Sequence, residues 1–479
     1  MTYRASIDKF QNSRMVKSNN SIGNNTGYSI GVLPFNTTTP QDYDMKNAVK
    51  AYLTKVNQKK LAVLGPDQLI SEIEQDEGLV SGIEKEEARR MFEQIIKVMF
   101  YEGQELRVKN LKTMMTDTHA TNNDKRIARF LKDVLGNQET LKKTMSQKGI
   151  NNDSSDDENL NPTENAFEKL VFSKMKFEDL PPKDEDKSDF FQVLNWLAPS
   201  FEKDFNFIVS DKERTKDYLI QVVEFYCFTY LSYLILTLND FFGGKRNQYR
   251  QLFYALEWEK TTRSRDCYNL GWKQVEHGLD SLFSHAIVLE LLNFKDGEKE
   301  SVDYIKLNEI IEAHKDEDEE IAESIRAISD LYGQLVAGSD SKHQKAIEGL
   351  ERKNDFASKT EAEVHYLFEL VKLQFEFSRE AARTHYRLGF ESLAQKFLKN
   401  RKRNGSMLNL TEDLLITLTI LVIGEQNQIK LNDLFTGLEE RGVYLDSASR
   451  KQVIQFYEKL NLIEKKSDSG DSMYVKRIL

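Results

Sequence analysis

Apolar residues recur in threes and fours along most of this chain, and the rhythm gives way to short strand-like runs only near its end. Ala48, Tyr52 and Val56 share one helical face. Leu69, Ile70 and Ile73 make a second such stripe, and Met91, Ile95, Val98 and Met99 a third. Each predicts a helix with that stripe turned inward, because residues three and four apart lie side by side on a helix. The most apolar part of the chain is 190–294, centred on 225–238, a stretch without charge. That centre is shorter than the roughly 20 residues a bilayer span needs and is bounded upstream by Glu224 and Gln221. It predicts a central helix enclosed by its neighbours, and no membrane association. Residues 304–350 are helical in pattern, with a solvated acidic patch at 316–320. The stretch 360–403 carries Val364, Leu367, Val371, Phe375, Ala382 and Leu393 on one stripe without a proline, which predicts a long helical stalk.

The last 74 positions, 406–479, change pattern in a recognisable order. An apolar helix over 410–423 has Thr411 as its N-cap, and a second over 429–441 stops at Gly442. A third, capped by Asp446, runs to about Leu460, with Val453, Phe456, Tyr457 and Leu460 on one side and Ser447, Lys451 and Gln455 on the other. Two short strands follow, around Leu462–Lys466 and Met473–Leu479, joined by a turn that contains Gly470. Three helices and a hairpin in this order predict a winged helix. The fold class is therefore mainly α, a multidomain helical protein with a C-terminal winged-helix module.

Polar stretches divide the rest. Residues 1–40 are rich in Asn, Ser, Thr and Gly around one apolar knot, Val32, Leu33 and Phe35, and predict an irregular arm. Residues 151–165 concentrate acidic side chains and bury nothing, and Pro181 and Pro182 break the chain again. The expected layout is an arm at 1–40, a helical domain at 41–150, an acidic linker region at 151–189, an apolar helical core at 190–300, a helical domain with the stalk and a basic run at 301–405, and the winged helix at 406–479. Gly243 and Gly244 beside Lys245 and Arg246 lack P-loop spacing and read as a turn.

Charge alters the picture locally. The net charge of −10 excludes a chain that coats nucleic acid over its whole surface. Residues 383–403, however, hold seven Lys or Arg against one Glu, and 446–479 hold seven against five acids, although 406–479 as a whole has nine against eleven. A composite basic surface follows, with Lys396, Lys399, Arg401, Lys402 and Arg403 neutralising phosphates of double-stranded DNA. In this reading Ser447, Arg450, Lys451 and Gln455 lie along the third helix at the groove, and Lys465 and Lys466 of the hairpin meet the backbone. The same module also serves as a protein docking unit in this reading, and the near-neutral 406–479 leaves that alternative open.

Catalytic chemistry has no motif here. There is no P-loop, HExxH, nucleophile elbow or paired CxxC, and two cysteines, Cys227 and Cys267, give neither a disulfide framework nor zinc spacing. A reducing cytoplasm is expected. His365 and His385 fall too far apart on the predicted stalk to share a metal, and His385 reads as a hydrogen-bonded core residue. His277 and His285, near Glu276 and Glu290, join a site only if several helices converge there. No metal or cofactor is expected.

The run Leu388-Gly389-Phe390-Glu391-Ser392-Leu393-Ala394-Gln395-Lys396-Phe397-Leu398-Lys399 and the ending Glu458-Lys459-Leu460-Asn461-Leu462-Ile463-Glu464-Lys465-Lys466-Ser467-Asp468-Ser469-Gly470-Asp471 resemble the C-terminal region of the DptG family. That family belongs to DNA phosphorothioation-dependent restriction. The resemblance implies a subunit of a bacterial defence complex that restricts DNA lacking the sulfur modification. In such a complex other subunits carry the ATPase, translocase or nuclease motifs, and this one supplies DNA binding and assembly. It carries over no catalytic residue. A nuclease with an unrecognised site, and a pure assembly subunit, are the alternatives.

Overall fold

The computed structural model describes residues 3–19, 21–23, 26–37, 43–74, 86–116, 119–147, 166–180, 189–248, 250–337, 341–353, 355–377, 380–465 and 473–478. They are mainly helical, with short strands. Contacts group the chain into two units: Met1–Tyr43, Asp184–Leu197 and Phe225–Leu479 make the larger, and Asp44–Lys183 with Ala198–Glu224 the smaller. The stretches 301–405 and 406–479, expected as separate domains, thus belong to one body with 190–197 and 225–300, whereas 198–224 joins the smaller unit.

In the smaller unit, helix Met45–Asn57 starts at Asp44, whose carboxylate accepts from the Lys46 and Asn47 amides, and ends where Gln58 turns left-handed at φ 62°. Ala48, Tyr52 and Val56 are buried as their spacing predicts. A second cluster joins Leu69, Ile70 and Ile73 to Ile96, Phe100, Val171, Phe172 and Met175. Residues 166–180 therefore do not behave as linker: helix Ala166–Lys174 enters this cluster, and strand Phe177–Asp179 pairs antiparallel with Lys59–Leu61. Their aromatic and aliphatic content outweighs the acidic neighbourhood from which a linker was expected. The acidic residues 151–165 and the proline pair lie outside the described residues.

Helix Glu86–Phe100 corrects the third stripe. Ile96 and Phe100 are buried and Phe92 and Met99 half-buried, while Met91, Ile95 and Val98 are 64%, 44% and 71% exposed. The helix carries two apolar faces, and the one that holds the large aromatic rings meets the cluster, because rings bury more area per residue.

In the larger unit, residues 225–238 of helix Lys212–Asn239 are all buried, as expected of an uncharged helix in water. Phe228 stacks on Phe390 and Phe397, the Tyr230 hydroxyl accepts from the Val193 and Leu194 amides, and Tyr233 donates to the Gly442 carbonyl. By length and composition the helix passes as a membrane span, yet 89% of its most apolar window is covered by protein.

The N-terminal arm is irregular but tightly held. Strand Arg4–Ala5 pairs with Lys295–Asp296, and the Tyr3 hydroxyl donates to the Leu292 carbonyl. Phe10 stacks on Phe294 and Tyr332, and Phe35 meets Tyr386 and Phe390 edge-on. The buried Glu290 carboxylate accepts from the amides of Gly27, Tyr28 and Ser29. Each buried ring is worth about 1.5 to 3 kcal/mol relative to exposure, so this strap contributes to the core that it crosses.

Among the described residues the expected stalk does not run on as helix to 403. Its stripe residues are buried, but on two helices, Lys359–Phe377 and Glu380–Ala394, the first packed on Asp318–Ala337 and Leu282–Leu292. Beyond Phe397 the chain leaves the helix for strand Leu398–Asn400, turns through Gly405 at φ +71°, and returns as Ser406–Leu410. Phe397, anchored on Phe228, marks the end of the helical run where the apolar stripe and the lack of proline suggested that it continued. The Gly243–Gly244 pair sits in a turn, and Arg246 beyond it makes a two-pronged ion pair with Asp303.

The C-terminal part runs helix Glu412–Ile423, strand Gln428–Lys430, helix Leu431–Glu439, helix Ser447–Lys459, and strands Ile463–Lys465 and Met473–Lys476. Met473–Lys476 is the middle strand of an antiparallel sheet of three. Thr411 and Asp446 cap their helices as expected. Ile429 and Lys430, expected to start the second helix, belong instead to the extra strand Gln428–Lys430, and Leu460, expected on the inner stripe, is 47% exposed past the helix end.

Candidate functional site

The basic run is part of a hairpin whose neighbour comes from elsewhere in the chain. Ser406–Leu410 pairs with Leu398–Asn400 on one edge and, in parallel, with Ala255–Leu256 on the other. The polar loop after Leu256 is thereby led past the hairpin tip. Arg263 donates to the Arg403 carbonyl at 2.8 Å, and the Asn404 side chain donates to the Thr261 carbonyl at 3.1 Å. Four exposed cations, Lys260, Arg263, Lys402 and Arg403, are gathered at this tip. Lys396, also exposed, lies one turn upstream.

Four of the residues expected to contact DNA have partners within the protein. Arg401 donates to the Glu259 carbonyl at 2.7 Å, the Leu256 carbonyl at 2.6 Å and Asn409 Oδ1 at 3.3 Å. Burial lowers its pKa from the ordinary arginine range. Lys399 is tied to Glu257 through both carbonyl and carboxylate. Arg450 donates to the Leu445 carbonyl, pairs with Glu439 and lies over the Phe435 ring. Lys465 pairs with Glu458 at 2.9 Å. The charges of these four are already answered within the protein, because the strands and turns that were expected to display them fold against their own acids and carbonyls. Lys466 lies outside the described residues.

Helix Ser447–Lys459 presents Ser447, Lys451 and Gln455 to solvent, with Gln455 accepting from Gln452 at 3.2 Å. Its other side is fixed by Val453 and Tyr457, both fully buried, and Tyr457 hydrogen-bonds Thr419. Its N-terminus is locked to the 257–266 loop by a polar network. Arg265 donates to Asp446 at 2.5 and 3.0 Å, to Glu259 at 3.3 and 3.4 Å and to Ser449 at 2.7 Å. Burial works to raise the Asp446 pKa, but the Arg265 guanidinium and the Ser449 amide overcome it and hold the group below its usual value. Burial also pushes the Cys267 thiol up to about 12, which keeps it a thiol. A short distance along the same loop, Trp258 lies on Phe456 of the helix at 4.8 Å with 36° between planes, and both rings are half-buried.

The loop residues Lys260, Arg263 and Arg265 did not emerge from the sequence pattern, since 257–266 is neutral in sum. Their signal is three cations spaced by hydroxyl residues between two apolar segments. It becomes visible once Arg265 is seen to be consumed by Glu259 and Asp446.

No metal-binding geometry accompanies these groups. Among the described residues, no three His, Cys, Asp or Glu converge for a metal. His285 is buried and hydrogen-bonded to the Tyr304 hydroxyl through Nδ1, and burial lowers its pKa to about 3. His277 is exposed, and Glu290 is engaged by the arm. His385 is half-buried, its Nδ1 against the Thr37 carbonyl. No family model matches the chain, and no curated protein matches it.

Proposed function

We propose that the larger unit binds double-stranded DNA through the tip formed by Lys260, Arg263, Lys402 and Arg403 and the exposed face of helix Ser447–Lys459, the C-terminal part acting as a winged helix. One observation carries this reading. Two stretches some 140 residues apart are hydrogen-bonded so that their exposed cations share one surface, next to a helix whose outward side is polar and clear of its own core. Charges clustered by the fold, rather than by the sequence, suit phosphate neutralisation, which needs several cations at once. Together with the resemblance to the DptG family, this supports a reading of the chain as a non-catalytic DNA-binding and scaffolding subunit of a phosphorothioation-dependent defence complex. Its partners there carry the ATPase or nuclease motifs.

The assembly role has its own support in the smaller unit. Met91, Ile95 and Val98 form an exposed apolar stripe, and Val98 and Met99 reach a cavity of about 550 Å³. Such a surface suits a protein partner better than DNA.

Duplex titration over a range of salt tests the DNA reading. Changing Arg263, Lys402 and Arg403 to Ala is expected to weaken binding to all sequences. The slope of log affinity against log salt should become shallower by roughly 0.9 for each phosphate that is no longer neutralised. An unchanged slope would remove these residues from the interface.

A further inference from the structure

We propose that Trp258 and Phe456 form a stacking platform for an unpaired base, so that the basic tip takes DNA where bases are exposed, as at a single-stranded overhang. The inference rests on the DNA reading above and narrows its substrate.

The loop that carries Lys260 and Arg263 also carries Trp258, two residues before the first of these cations. Trp258 could have been sealed into the core, as Trp272 of the same unit is. Instead it lies on Phe456, and both residues are half-buried. Phe456 itself belongs to the helix that presents Lys451 and Gln455 outward. Aromatic surface beside cations is the combination that holds unpaired nucleotides: the cations answer the backbone and the rings accept the faces of bases of any identity. An uninterrupted duplex keeps its bases stacked on one another and offers a ring nothing to stack on, so the aromatic pair contributes only where pairing ends. The indole is also held in register with the cations, because Glu259, the next residue, accepts from the Leu256 amide and from Arg265 and Ser449.

The test uses the full chain and two fluorescent probes of equal duplex length, one blunt and one with a short 3′ single-stranded overhang, titrated at fixed salt. The wild type is expected to bind the overhang about tenfold more tightly, which is the size of one stacked base. Trp258→Ala should abolish that preference, whereas Trp258→Phe, which keeps a ring on Phe456, should retain most of it and guards against a folding defect. Equal affinity of the wild type for both probes overturns the platform and leaves the DNA reading standing. So does a Trp258→Ala variant that keeps the wild-type preference for the overhang. No binding to either probe overturns the DNA reading and the platform with it.

Discussion

Arg401 and its neighbours Lys402 and Arg403 are adjacent cations with opposite duties. The Arg401 guanidinium holds two carbonyls and Asn409, so Arg401→Ala should cost about 2 kcal/mol of stability, the scale of lost hydrogen bonds to a charged group. The cost would appear in the denaturant midpoint. The exposed pair should leave that midpoint unmoved and act on DNA affinity alone. The sequence shows all three as equal members of a basic run, because it contains no trace of the carbonyls that strand Ala255–Leu256 brings to Arg401. A second residue sets an acid limit. His285 is neutral in the fold, with its pKa lowered from 6.5 to about 3 by burial, whereas the unfolded chain takes up its proton near the ordinary value. The unfolded state thus binds more protons between those limits, and stability falls as pH drops through that window. Thermal unfolding of His285→Gln followed from pH 7.5 to 5 should show a weaker loss than the wild type. Parallel curves would mean that another group sets the limit.

At the level of elements, most helices were legible from spacing and their caps from chemistry: Thr411 and Asp446 bond the amides that their positions predict. Where periodicity misled, it lacked knowledge of the partner. Helix Glu86–Phe100 has two apolar faces, and only the ring system of Phe100 and Phe172 decides which is covered. Likewise the helical run stops at Ala394, short of the predicted 403, where Phe397 is anchored on Phe228. Helix Ser447–Lys459 allows a clean separation of the two roles proposed for it. Lys451 and Gln455 touch none of the buried side, so changing both to Ala should preserve the fold. If the helix meets DNA, duplex affinity should drop by about 1 to 3 kcal/mol and co-purification with partner subunits should persist. Loss of co-purification with intact DNA binding would instead make it a docking helix.

For the whole molecule, the order of segments in space departs most from the order in the chain. The acidic stretch 151–165 was expected to separate folded bodies, yet the described residues on both sides of it, 44–147 and 166–180, build the same smaller unit. Strand Lys59–Leu61 pairs with Phe177–Asp179 across it, and Val171 shares a core with Leu69. A protease that cuts within 151–165 should therefore give two bands under denaturing conditions and one species in native gel filtration. Release of a fragment would contradict that shared core. Composition could locate the polar stretch, but not which segments close around it, since pairing partners at long range leave no local mark.

The strap has a consequence in time. Phe35 finds Tyr386 and Phe390 roughly 350 residues later in the chain, and Phe10 must wait for Phe294 and Tyr332. At about 5 to 20 residues per second, this segment spends roughly 20 to 70 seconds without the surface that it completes. The larger unit can close only after its C-terminal half has been made. A nascent chain that stalls before Tyr386 still carries Phe35 without either of its ring partners, and is exposed to chaperones and proteases for as long as it waits.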